Sequence, residues 1–332
     1  MPVFQPKGLG SRLAARFATA VVFCSASLAG AAGFPDNQPI TIIVPYAPGG
    51  SSDAIARRLS QPLAEELNAT VVVENKAGGN GAIGASQLAR AKPDGHTLMI
   101  GALGVLAINE GLYENLGYLP RRDFDMLTIA VRTPNAFVVP QSSAIQTLPQ
   151  FLEQLKAQQG GMPIATAGSG SSEHLTLALF LKNSGAEAIH VPYKGGGPAI
   201  ADTLAGHVHG LVSNLGAVTP YIQSGRLRLI TVTGDQRTAL FPDVPVPQEA
   251  GVSGMEVYSW QGIAAPKGLP VEVKDKLAAA LHKVLTTDAF RQQMTELGFD
   301  VVANDAQTAT SFQIEEAERW KQVIREGNIQ VD

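Results

Sequence analysis

The chain has 332 residues, 45% of them hydrophobic and only 16% charged, with a formal net charge of −4. An acidic chain without basic runs is a poor partner for nucleic acid or anionic lipid. Its single cysteine, Cys24, rules out an intrachain disulfide and a thiolate metal cluster.

The first 32 residues read as a secretory signal. Lys7, Arg12 and Arg16 form a positive start, Phe17 to Leu28 an apolar centre, and Ala29-Gly-Ala31 a small-residue cleavage site. The apolar run falls short of the roughly 20 residues of a membrane helix and contains Thr19, Ser25 and Ser27. Removal of this segment takes Cys24 with it. With no acidic residue ahead of Asp36, losing three cations takes the net charge from −4 to −7. The remainder suggests two domains at about 150 residues each.

Strand–helix alternation follows. Thr41–Val44 reads as a strand, Asp53–Leu67 as a helix with Ile55, Leu59, Leu63 and Leu67 on one stripe, and Val71–Val73 as a strand. Ala82–Arg90 continues as a helix and Leu98–Ile100 as a strand. Pro62 removes one backbone bond inside the first helix, but the apolar stripe continues past it. A second block repeats the pattern. It has strands near Thr128–Val131 and Ala136–Val139, a helix over Thr147–Gln158, a strand at Pro163–Ala165 and a helix over Ser172–Asn183. A strand at Ile189–Val191, a helix over Pro198–Ala205 and strands at Gly210–Val212 and Leu227–Thr233 complete it. Glu256–Ala264 reads as a further strand, and helices from Pro270 to Leu285, Ala289–Leu297 and Ala306–Arg325 close the chain. Such units imply parallel pairing with right-handed crossovers. A terminal block of helices without new strands packs most economically on the first block. The result is two lobes joined by crossings near 128–136 and 254–264.

Two strand-to-helix junctions carry the candidate chemistry. In Tyr46-Ala-Pro-Gly-Gly-Ser-Ser-Asp53 and in Ala167-Gly-Ser-Gly-Ser-Ser-Glu173 a strand enters a glycine-rich turn and then a helix whose first turn holds hydroxyls and an acid. Ser, Thr and Asp commonly just cap helices. Unpaired N–H groups at a helix N-terminus also make an anion site without any cation. Two such junctions at equivalent points of two α/β lobes favour binding, since ligands of open parallel sheets sit beyond the strand C-termini.

Other patterns carry less. Gly79, Gly81 and Gly84 fit a dinucleotide fingerprint, yet Asp94 and Glu110 both miss the position of the ribose-binding acid. His207 and His209 lack an accompanying ligand set and read as a solvated turn. No nucleophile elbow is present, and Ser171 or Ser172 so near His174 does not form triad geometry. Tyr193, in the tight Pro192–Pro198 loop, either covers a ligand or lines a hinge.

Six spaced motifs then resemble one family. They are Val44-Pro-Tyr-Ala-Pro-Gly-Gly-Ser-Ser-Asp53, Val73-Glu-Asn-Lys-Ala-Gly78 with Ile83-Gly-Ala85, Pro93-Asp-Gly-His-Thr-Leu98, Val191-Pro-Tyr-Lys-Gly195 with Pro198-Ala199, Leu240-Phe-Pro-Asp-Val-Pro245, and Glu249-Ala-Gly251. Together they are similar to the Bug family, the TctC-type periplasmic solute receptors of tripartite tricarboxylate transporters. The resemblance implies an α/β, two-lobe clamshell of the type II periplasmic-binding-protein kind, with two parallel-type sheets joined by two crossover segments. Lobe 1 is expected over 33–130 plus 256–332, and lobe 2 over 131–255.

The resemblance also implies a non-enzymatic, monomeric receptor without cofactor or metal. It would pass a small carboxylate to membrane permease subunits, or report it to a sensor kinase. The family holds its ligand with main-chain groups, hydroxyls and waters. Carried onto this chain, the first loop supplies Tyr46, Ala47, Gly49, Ser51, Ser52 and Asp53. The second supplies Gly168, Ser169, Gly170, Ser171 and Ser172, with Tyr193, Ser213 and Asn214 alongside. Three positions depart from the family pattern. Ser213 stands where Asp is common, which removes an ammonium partner and argues against amino acids; Glu173 replaces a small hydroxyl, and Ala82 an Asn or Thr.

Overall fold

Ile40–Val44 (β1) is almost wholly buried and starts a strand–helix–strand series through Ser51–Leu67 (α1), Val71–Asn75 (β2), Ala82–Ala89 (α2) and Thr97–Ala102 (β3). The computed structural model describes residues 1–3, 33–158, 160–327 and 329. Most of the expected signal segment therefore lies outside the described residues. α1 continues through Pro62 and ends at Asn68, whose φ of 51° gives the left-handed turn. β2, β1 and β3 are parallel neighbours.

A π-helical turn at Gly104–Ile108 and two single-turn helices, Asn109–Leu112 (α3) and Pro120–Asp123 (α4), lead into one 17-residue strand, Phe124–Pro140 (β4). The two short strands expected at 128–131 and 136–139 are thus one element. The polar run Arg132-Thr-Pro-Asn135 reads as a break in sequence. In the fold Thr133 and Asn135 are fully buried, and Pro134 falls where β4 leaves one set of neighbours for another.

The second block follows as Leu148–Ala157 (α5), Met162–Thr166 (β5), Ser172–Ser184 (α6), Ala188–Pro192 (β6), Gly196–Ala205 (α7), Gly210–Asn214 (β7), Leu215–Gln223 (α8) and Leu227–Val232 (β8). α8 was not legible, because Gly216 and Pro220 both argue against a helix. Gly216 is required by packing: a Cβ there would lie 2.0 Å from the Phe299 ring. Tyr258–Pro266 (β9), Val271–Leu285 (α9), Asp288–Leu297 (α10), Asp300–Val301 (β10) and Ala306–Gly327 (α11) complete the chain.

The strands form one curled sheet ordered β2-β1-β3-β9-β4-β7-β5-β6, with β8 and β10 also paired to β4. Each end keeps a parallel trio, while β4 and β9 run antiparallel to their neighbours. Helices cover both faces at both ends. One core packs α1, α9 and α10 on the first half, and a second packs α2, the π-turn and α11 on its other face. α5 with α6, and α7 with α8, do the same for the second half. This is the two-lobe clamshell expected from the sequence.

Buried amides tie β4 to its neighbours. Asn135 Nδ2 donates to Thr176 Oγ1 at 2.7 Å, and Asn135 Oδ1 accepts from Asn214 Nδ2 at 2.8 Å. Asn214 Oδ1 in turn accepts from Gln261 Nε2 of β9 at 3.2 Å. Asn135→Ala orphans two buried partners, and chemical denaturation should show a loss of about 1–3 kcal/mol for each. A loss below about 0.5 kcal/mol would mean that the amide chain relaxes without consequence.

Candidate functional site

The first loop is fixed from beneath by Asp53. Its carboxylate accepts from the Gly49 N–H at 3.0 Å, from Asn75 Nδ2 at 3.0 Å and from Arg57, at 3.0 Å for the closest contact. Burial pushes this carboxyl up, but the Arg57, Gly49 and Asn75 contacts outweigh it and hold the group below the usual range. Asn75 Nδ2 also reaches the Tyr46 carbonyl at 3.1 Å. Asp53 therefore shapes the loop and does not cap α1. The N-cap is Gly50, with no side-chain cap bond, and the Ser51 Oγ is buried without a partner. Unmatched N–H groups, the positive end of a 17-residue helix and an unpaired hydroxyl thus converge at one point.

The second loop is pinned by two histidines. Thr166 Oγ1 lies 2.7 Å from His190 Nε2 and accepts from the Gly168 N–H at 3.2 Å. His174 Nδ1 accepts from the Gly170 N–H at 3.1 Å, and its ring stacks on His190 with centroids 4.1 Å apart. Burial, and then His174, pull the His190 pKa down to about 4, so this pair carries no charge from His190 near neutrality. Here Ser171 is a true cap, accepting from the His174 N–H at 3.1 Å. Ser172 Oγ lies 2.9 Å from Glu173 Oε2 and 3.0 Å from Ser259 Oγ. Glu173 is buried, which raises its carboxyl, and burial followed by the Glu173 charge raises the Tyr46 hydroxyl.

Both helix starts open on one cleft with about 450 Å³ of empty space, part of it open to solvent. Of the residues singled out in the sequence, Tyr46, Ser51, Ser52, Asp53, Ser171, Ser172, Ser213 and Asn214 line it. The others sit at its rims. The Ala47 N–H donates to the Lys194 carbonyl at 3.0 Å, Gly49 packs on Gly197, and Gly168 packs on the Tyr193 carbonyl. Ser169 O accepts from the Tyr113 hydroxyl at 3.4 Å, and Gly170 lies against Leu112. Tyr193 directs its hydroxyl at Asp202, 2.7 Å away. Sequence reasoning missed Ala102, Gly104, Ala167, Gly196 and Ala217, which also line the cleft. Small residues give no chemical signal; only their position after strand ends could have marked them. Among the described residues no group of three or more His, Cys, Asp or Glu side chains is placed to hold a metal ion. Nor is any helix among them long and apolar enough to cross a membrane.

A clamshell whose cleft is lined by hydroxyls and small residues, with no lysine or arginine among them, has the form of a solute-binding receptor. The chain belongs to the family described as the tripartite tricarboxylate transporter family receptor, TctC, which it matches over residues 55–329. It is 32% identical over 290 residues to protein BugT of Bordetella pertussis, covering 87% of this chain and 89% of BugT. Two solved Rhodopseudomonas palustris proteins share the fold. One, with adipate, is 30% identical with a TM-score of 0.86, over 90% of this chain and 99% of that one. The other, MatC with bound malate, is 28% identical with a TM-score of 0.81, over 88% and 100% of the two chains.

The two serines separate by their partners. Ser171→Ala should lower folding stability by about 1 kcal/mol through loss of the cap. Ser51→Ala should leave stability nearly unchanged yet weaken ligand binding, measured by denaturation and calorimetry on both variants. Equal stability losses would mean that Ser51 is a cap after all. Gly197→Ala tests the rim: its Cβ would lie 1.8 Å from the Pro48 carbonyl oxygen. Alanine suits α7 better than glycine by up to about 1 kcal/mol. The variant should therefore fold at least as well while small-angle scattering shows the cleft held open.

Proposed function

We propose that this chain is a periplasmic receptor that binds a small organic carboxylate between its lobes and delivers it to tripartite-transporter permease subunits. We place the lobes at 33–130 plus 256–332 and at 131–255, after removal of residues 1–32. The carrying observation is the pairing of an uncapped α1 N-terminus, whose Ser51 hydroxyl has no partner, with the α6 N-terminus across a cleft lined by no lysine or arginine. Backbone N–H groups and hydroxyls are then the natural anion ligands. Bound adipate and malate in two relatives of the same fold support the class. The ligand touches both lobes only when they are closed, so binding shifts the population to the closed form that the permease recognises.

A thermal-shift screen of mono-, di- and tricarboxylates, aromatic acids, amino acids and neutral amides, followed by calorimetry, tests this reading. A true ligand at 100 times its Kd adds about 2.7 kcal/mol of stability. Stabilisation confined to one class of acid is the expected result; none by any acid would refute carboxylate binding.

A further inference from the structure

The cleft lining contains two carboxyl groups, Asp53 and Glu173. Asp53 has its charge matched by Arg57 at 3.0 Å. Glu173, 7% exposed, accepts from three neutral donors, the Ser172 hydroxyl at 2.9 Å, the Ser171 hydroxyl and the Asn214 N–H, and no lysine or arginine is among the residues lining the cleft. Other groups approach it from the first loop, β7, β9 and α6. Tyr46 approaches from the first loop with its hydroxyl pKa pushed up by burial, β7 contributes Ser213 and Asn214, and β9 contributes Ser259 through Ser172. His174, next on α6, has its Nδ1 occupied as the acceptor of the Gly170 N–H, and His190 behind it is held to about 4.

A ligand carboxylate seated between the N-termini of α1 and α6 would place a like charge beside the buried Glu173. Two carboxylates sharing such a site do not both stay ionised. We infer that Glu173 takes up one proton when the ligand anion binds, and that the neutral acid so formed donates a hydrogen bond to the ligand and selects acids over ammonium-bearing analogues. The inference rests on the carboxylate reading above. Burial already raises the Glu173 carboxyl, so the proton is taken up at lower cost. The missing acid at Ser213 fits the same selection, since neither position then offers an ammonium a permanent counter-charge.

The test uses malate, adipate, citrate and benzoate, with aspartate as the ammonium-bearing analogue of malate, on the mature protein and on Glu173→Gln. Calorimetry in two buffers of different ionisation enthalpy counts the protons. The wild type should take up close to one proton, with Kd rising toward tenfold per pH unit above neutrality. Glu173→Gln, a permanently neutral mimic, should take up none, bind with a flat pH profile and keep the preference for malate over aspartate. An acid that binds the wild type without proton uptake overturns the inference while leaving the carboxylate reading intact. A slope that persists in Glu173→Gln assigns the proton to His174 instead and equally overturns it. A wild type that prefers aspartate, with the preference lost in Glu173→Gln, shows an ionised Glu173 facing a cation and does the same. If no acid binds either protein, both readings fall. The proton count on the wild type stands on its own should the variant not fold.

Discussion

The buried amide chain from Gln261 through Asn214 and Asn135 to Thr176 is the contact on which the two halves and the floor of the cleft depend. It joins β9, β7, β4 and α6. Asn214 is also the residue before α8, yet it makes no side-chain cap bond, because its amide is committed to the chain. The backbone follows the same line: the Asn135 N–H donates to Thr233 Oγ1, and the Asn135 carbonyl accepts from the Thr233 N–H. A low-dielectric setting strengthens a satisfied network and penalises a broken one. The arrangement therefore holds the ends of β7 and α6 in register, and with them Asn214, Ser172 and Glu173.

From that anchor the two loops are held by unlike means. Around Asp53 a charged network with Arg57, Asn75 and the Gly49 N–H shapes the first loop, leaving the start of α1 without a side-chain partner. Around His174 and His190 a stacked imidazole pair shapes the second loop, and its helix start is capped by Ser171. The cleft is therefore asymmetric. The α1 side offers unmatched donors, and the α6 side offers a buried acid and hydroxyls. A ligand with a carboxylate at one end and a group of different character at the other would distinguish the two.

Much of this was legible because it depends on periodicity and on local chemistry. The stripe Ile55, Leu59, Leu63, Leu67 specified α1 despite Pro62, and the paired glycine–hydroxyl turns pointed to the cleft. What was not legible depends on distant partners. β4 reads as two strands because Arg132-Thr-Pro-Asn135 is polar, and only burial against Gly298, Thr176 and Asn214 makes a polar run into strand interior. α8 contains a glycine and a proline that local propensity rejects, and the glycine is demanded by Phe299, 83 positions away in sequence. Ser51 and Ser171 look alike in sequence; only geometry shows one free and the other committed.

On the proposed carboxylate reading, the rims would let so acidic a chain close on an anion reversibly. The contacts between the first loop and the 193–198 segment are backbone against backbone: Ala47 N–H on the Lys194 carbonyl, and glycines 195, 196 and 197 packed on residues 47–50. On the opposite rim the Tyr113 hydroxyl reaches Ser169 O at 3.4 Å, and Gly104 meets the Gly170 carbonyl. Each hydrogen bond is worth about 1 kcal/mol net, and glycine surfaces bury little apolar area. Under that reading closure without ligand would be close to balanced, and a few charge-assisted bonds of about 1.5–3 kcal/mol each would suffice to tip it. Side chains on those glycines would prevent closure, whereas a larger apolar rim would hold the lobes shut. Weak, glycine-lined rims thus leave the decision to the groups inside the cleft.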